Sequence, residues 1–231
     1  MRDKSITGQE RTISLWQFLR RFLLISAFLF LGCPASEGRD DWQFWLEEKW
    51  SVTLTNTLKL VGKTEERFQD DMSDFYSQVA SVGFSWKAQP WLKLEPAYYY
   101  QWTQRTGRDT NENRVYLNAT PGWSWGRVHL EDRNRIEFRH LNGRDDWRYR
   151  TKPKLGIELG RGWYEVEPYV ADEVFYGARA GEWNRHRIYL GVEKPLTKQA
   201  GIDFYYMIQS DKQGRDWNEF HVLGFAVNLK L

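Results

Sequence analysis

From Arg127 to Arg139 the odd positions are all charged or titratable: Arg127, His129, Glu131, Arg133, Arg135, Glu137 and Arg139. Guanidiniums and carboxylates at this spacing can pair through two hydrogen bonds or hold a charged solute. The same rhythm carries Glu112 and Arg114, then Arg148, Arg150, Lys152 and Lys154, then Glu158, Glu165, Glu167 and Glu173, then Arg185, Arg187 and Glu193. Proton transfer would fall to one of four His, and His140 with Asp145 and Asp146 is the one set in a cluster of carboxylates. No Ser lies within two residues of any His, and no Asp-x-His occurs, so the usual hydrolytic pairs have no sequence signal. No two His share a face at ligand spacing. The acidic pairs Asp70-Asp71 and Asp145-Asp146 would hold Ca²⁺ only weakly. No Gly-rich phosphate loop follows a strand. The expectation is no catalytic residue, no metal and no cofactor.

Groups that repeat at two sit on strands, because successive strand side chains point to opposite faces. Over 127–140 the charged set opposes Val128, Leu130, Ile136 and Phe138. Over 146–160, Trp147, Tyr149, Pro153, Leu155, Ile157 and Leu159 oppose Arg148, Arg150, Lys152, Lys154 and Glu158. Phe225, Val227, Leu229 and Leu231 oppose Ala226, Asn228 and Lys230. A helix would repeat its charges at three and four. Ten segments read as strands: about 50–61, 75–86, 91–103, 112–120, 127–140, 146–159, 163–176, 184–194, 201–210 and 217–231. Each approaches or exceeds the roughly 9–11 residues of a tilted membrane strand. The strand-like segment Trp42–Glu48 is either a periplasmic extension or a sign of twelve strands. Short connections (Lys87–Pro90, Pro121–Gly126, Gly160–Gly162, Pro195–Ala200) alternate with longer polar ones (Gly62–Asp74, Gln104–Asn111, Leu141–Asp145, Gly177–Trp183, Asp211–Asp216). Outer-membrane barrels have that asymmetry. An even strand count would put both termini in the periplasm.

The aromatic residues follow the turns. Trp86, Trp91, Trp123, Trp125 and Trp163 border short turns, while Trp102, Trp147, Trp183 and Trp217 border long ones. Interfacial aromatic girdles have this form. The expected fold is therefore all-β: an up-and-down antiparallel transmembrane β-barrel of about ten strands, with twelve possible. Apolar faces would meet lipid. The candidate lumen set is Glu112, Arg114, Glu131, Arg133, Arg135, Glu137, Arg139, Arg148, Arg150, Lys152, Glu165, Glu167, Glu173, Arg185 and Arg187. It reads either as ion-paired filling of a narrow barrel or as a charged path that selects solutes. Asp132 and Asn134 break the apolar face, which calls for a β-bulge or a protein contact there. A soluble barrel of lipocalin type would turn the apolar faces inward, where this many Trp and Tyr would overfill it.

Of the 231 residues, 28% are charged and 16% aromatic, with 13 Trp, mean hydropathy −0.70 and formal charge +2. Such aromatic content excludes disorder, a single Cys excludes a disulfide scaffold, and the near-neutral charge points away from nucleic acid. Arg11, Arg20 and Arg21 ahead of the apolar run Phe22–Leu31 and small residues to Ala35 form a signal-peptide pattern over 1–35, leaving 36–231 as the barrel. Cleavage falls after Ala35, or lipid is attached at Cys33. Removing 1–35 leaves 28 basic and 29 acidic residues of the original 33 and 31.

The run Arg133-Asn134-Arg135-Ile136-Glu137-Phe138-Arg139 resembles the arginine-rich central strand of an uncharacterised bacterial outer-membrane barrel family, a domain of unknown function. Asn111-Glu112-Asn113-Arg114, Glu167-Pro168-Tyr169, Glu173-Val174-Phe175, Asn184-Arg185-His186-Arg187 running to Leu190-Gly191, and Tyr205-Tyr206-Met207 extend the resemblance over 42–231. It implies a barrel in the outer membrane of a Gram-negative cell and brings no activity. Leu231 stands where such proteins usually end in Phe, which would weaken recognition by the barrel-assembly machinery. Expected partners are outer-membrane lipid, that machinery and small polar solutes, with the oligomeric state open. The functional expectation is a porin-like narrow channel or binding barrel. The alternatives are a plugged structural barrel and, less favoured, an outer-membrane hydrolase.

Overall fold

The computed structural model describes residues 41–231 except Thr106 and Arg215. The expected signal segment 1–35, with Cys33 and Ala35, lies outside the described residues. Eleven strands occur among them: β1 (Asp41–Thr53), β2 (Leu58–Gln69), β3 (Asp74–Gln89), β4 (Leu92–Thr103), β5 (Thr110–Trp125), β6 (Val128–Leu141), β7 (Arg144–Ile157), β8 (Glu167–Gly177), β9 (Glu182–Pro195), β10 (Ala200–Gln213) and β11 (Asp216–Lys230). Sequence neighbours pair antiparallel, and β1 closes the barrel by pairing with β11. That closing pair is parallel, from Asp41 opposite Phe220 to Ser51 opposite Lys230. With eleven alternating strands, the first and last must run the same way. The count falls within the expected ten to twelve.

The odd count corrects the expected placement of both chain ends on one side. We call the rim where β1 starts the near rim and the rim where it ends the far rim. Asp41 lies at the near rim and Lys230 at the far rim. The segment 50–61 also proves to be two strands. A turn at Leu54–Thr57 divides it, closed by Leu54 N–H donating to Leu58 O at 3.0 Å, and Trp42–Glu48 belongs to β1. Thr55 Oγ1 accepts from the Leu58 amide at 3.0 Å, a side-chain turn that resembles ordinary strand composition in sequence.

Loop asymmetry is absent. Turns at the near rim shrink to 70–73, 104–109, 142–143, 178–181 and 214–215, while the longest connection, 158–166, is at the far rim. Polar residues at the near rim stay in the ladders: Gly62 through Gln69 pair with β3, and Arg144 pairs with Leu141 across the Asn142-Gly143 turn. Backbone pairing continues past the apolar band, so polarity alone mislocated these strand ends.

The apolar core lies inside the barrel, where Trp45, Tyr169, Ala171, Tyr189, Tyr205, Met207 and Val222 cluster. Tyr205 rests on bare backbone, since a Cβ on Gly224 would fall 2.0 Å from its Cζ. Aromatic rings laid over strand glycines are a known way to fill a curved sheet. The rest of the interior is mostly charged and polar.

Candidate functional site: the charged lumen

Strand alternation aims the even residues of β5, β7 and the odd residues of β6, β8 and β9 at the interior. A cavity of about 1500 Å³ lies there, lined from Gln69 and Thr103 near one rim to Lys194 and Lys230 near the other. Of the predicted lumen set, Glu112, Arg114, Glu131, Arg133, Arg135, Arg139, Arg148, Arg150, Lys152, Glu165, Glu167, Glu173, Arg185 and Arg187 line it. Glu137 lies behind the lining and is fully buried.

Two carboxylates organise the middle of this interior. Glu137, on β6, accepts from Arg148 Nη2 at 2.6 Å and lies 3.4 Å from both Arg135 Nη1 and Arg150 Nη1. Glu173, on β8, takes Arg133 Nη2 at 2.5 Å and Arg150 Nε at 2.9 Å on Oε1, while Arg187 Nη1 lies 3.6 Å from Oε2 and Tyr189 donates to Oε2 at 2.9 Å. Each anion is thus shared by three guanidiniums. Buried charges persist only when paired in this way. Lys152 has no ion pair among the described residues; its ammonium stands 3.5 Å over the Tyr189 ring. Arg148, Arg150, Arg185 and Arg187 surround the buried Phe175 ring at 4.9–5.7 Å from its centroid. Toward the near rim, Arg114 and Arg139 both bond Glu112, and Arg185 bonds Asp211. Glu131, Glu165 and Glu167 lie toward the far rim.

The basic residues of β6 and β7 and the acidic residues of β6, β8 and β9 interlock, because ion pairs reach both to adjacent strands and across one strand. Arg133 of β6 reaches Glu173 of β8, and Lys154 of β7 reaches Glu193 of β9. Sequence reasoning missed part of the interior. Glu47, Lys63, Glu65 and Arg67 pair there, and Trp45 lies between Arg67 and Arg187, at 3.9 and 5.1 Å from the ring centroid. Their alternation was present, but it was hidden by taking 50–61 as one strand. His129, Glu158 and Glu167 also meet, with His129 Nδ1 3.3 Å from Glu167 and Nε2 3.5 Å from Glu158. Among the described residues this trio could offer three ligand atoms to a cation. Its members come from β6, the 158–166 connection and β8, so no spacing rule reveals it.

His140 does meet Asp145, at 2.7 Å, on the outer face at the near rim. Asp132 and Asn134 stay on the outer face. β6 and β7 pair there without a bulge, contrary to that half of the expectation. Instead the polar groups satisfy one another: Asn134 and Thr151 donate to Asp132 at 2.9 and 2.7 Å, and Tyr149 donates to Asn134 at 2.5 Å. Much of the rest of the outer face is apolar and exposed, with Val82, Phe84, Val115, Leu117, Phe138, Ile157, Leu190 and Phe204 open, while Asp172 with His186 at 2.6 Å and Glu48 with Thr64 add polar pairs to it. Trp86, Trp91, Trp123, Trp125 and Trp163 stand toward the far rim, and Trp102, Trp147, Trp183 and Trp217 toward the near rim. All but the partly covered Trp102 are exposed.

The family model described as "Protein of unknown function (DUF2490)" matches residues 42–220. No curated protein matches the sequence. Among solved structures, the β-domain of the Bordetella autotransporter Brka aligns with 73% of this chain and 82% of its own, at 12% identity and TM-score 0.46. LpxR from Salmonella typhimurium aligns over 75% and 83%, at 10% identity and TM-score 0.47. An anion-selective porin from Comamonas acidovorans aligns over 74% and 55%, at 14% identity and TM-score 0.37.

Proposed function

The chain belongs to the DUF2490 family of proteins of unknown function, and from that premise we propose an outer-membrane β-barrel whose charged lumen is a narrow path or binding cavity for small polar or charged solutes. The observation that carries the reading is inverted polarity. Glu65, Glu137 and Glu173 are 2%, 0% and 1% exposed, while Phe138, Leu190 and Trp125 are 60%, 61% and 60% exposed. A water-soluble barrel does the opposite, because contiguous exposed apolar surface beyond a few hundred Å² drives association. A hydrocarbon solvent outside and polar groups inside satisfy both faces. The two levels of Trp suit the two interfaces of such a membrane.

Extraction settles the first half of the proposal. The protein is expected in the outer-membrane fraction, released by detergent and faster-migrating in SDS gels unless boiled. Recovery from the periplasm without detergent would overturn it. Conductance in planar bilayers tests the second half. The second reading, a plugged structural barrel, is favoured by inward bonds that reach past a neighbouring strand and fill the interior: Arg133 to Glu173, Tyr169 to Asp203, and Tyr205 to Glu47 at 2.7 Å. If the wild type and the Arg133→Ala and Arg135→Ala variants all fail to conduct, that second reading stands. We assign no catalytic role: among the described residues the four His contact carboxylates or, for His221, the Tyr206 hydroxyl, and none contacts a Ser.

A further inference from the structure

The geometry points to an oxyanion site in the middle of the lumen, formed by Arg133, Arg135, Arg148, Arg150, Arg187 and Lys152, that takes a phosphate-class group. The inference deepens the solute-binding reading above and rests on it. Charge is the first ground. Five guanidiniums share two carboxylates, Glu137 and Glu173, and Lys152 adds a sixth cation with no ion pair among the described residues. The six basic groups thus outnumber the carboxylates bonded to them by four in an interior that screens poorly, and an excess of confined positive charge draws in a counter-ion.

The donors are the second ground. Arg133 Nε is buried without a hydrogen-bond partner, and Arg150 Nε lies 2.9 Å from Glu173 Oε1 without the alignment of a hydrogen bond. Unmatched buried N–H groups are uncommon in folded proteins. Guanidinium forks match the spacing of phosphate oxygens, and an ammonium supplies a compact charge beside them. Space is the third ground, since all six groups line the cavity of about 1500 Å³. A phosphate group fits readily, either free or carried on a larger solute.

Calorimetric titration of the full-length protein in detergent micelles tests the site without requiring conduction. Inorganic phosphate and glucose 6-phosphate are the probes, and glucose is the uncharged control. Saturable binding of phosphate but not glucose is expected. Preference for glucose 6-phosphate would identify a carried phosphate, and equal affinity a free one. Lys152→Met leaves no carboxylate unpaired and should weaken binding roughly tenfold or more. Lys59→Met, exposed at the far rim outside the cavity, should leave it unchanged. Failure of the wild type to bind either anion, or equal binding by Lys152→Met with its heat-modifiable migration intact, overturns the site. Should Lys152→Met not fold, the wild-type titration against glucose decides alone. Phosphate binding without conductance would keep the site and remove passage. Conductance without phosphate binding would do the reverse.

Discussion

Glu137 and Glu173 show what one carboxylate does inside a barrel. Each neutralises part of three guanidiniums, so neutralising one leaves several buried cations unbalanced. Glu137→Gln should therefore destabilise the folded barrel by about 3–5 kcal/mol, read as a lower urea midpoint in micelles. Lys93 and Glu95, 3.2 Å apart with the Lys side chain 46% exposed, form the contrasting pair. Glu95→Gln should change stability by less than about 1 kcal/mol. Lys93 and Glu95 line the same cavity toward its far rim, so equal effects of the two variants would mean that the middle of the lumen is as well solvated as its mouth. That Arg133, Arg135, Glu137, Arg148 and Arg150 share one face was legible in the sequence, because alternation on a strand sets side-chain direction. Which of them share an oxygen was not. Arg133 reaches past β7 to Glu173 on β8 because the curved wall brings next-nearest strands within a side chain's length.

At the scale of the element, strands were easy to recognise and their ends were not. Period-two alternation located β3 through β11, but β1 and β2 merged because the Leu54–Thr57 turn contains neither Gly nor Pro. Near-rim loops were read too long for a related reason: ladders continue into polar sequence wherever backbone partners persist. Close approach of side chain to backbone then fixes the wall's shape. Gly224→Ala would set a methyl against the Tyr205 ring and disturb its 2.7 Å hydrogen bond to Glu47. A loss of about 1–3 kcal/mol in unfolding measurements is expected. Adding Tyr205→Ala to Gly224→Ala should then cost less than the sum of the two single changes, since both act on one contact. Strict additivity would mean that the ring and the glycine are not in contact.

For the whole molecule, the decisive fact is closure by a parallel β1–β11 pair. It puts Asp41 and Lys230 at opposite rims. Asp41→Cys and Lys230→Cys, each made with Cys33→Ser and treated in intact cells with a maleimide that does not cross the membrane, should differ, with one labelled and the other protected. Labelling of both or of neither would indicate an even-stranded barrel with both ends on one side. The sequence by itself determined the all-β class, the two-faced strands, the two levels of Trp and the charged faces of β5 to β9, because each depends only on a residue and its near neighbours along one strand. Strand number, the direction of the closing pair, the sharing of Glu137 and Glu173, and the meeting of His129, Glu158 and Glu167 were decided only by the tertiary structure. All of these depend on how far apart in space the closed wall holds residues that are distant in the chain, and local alternation carries no record of that distance.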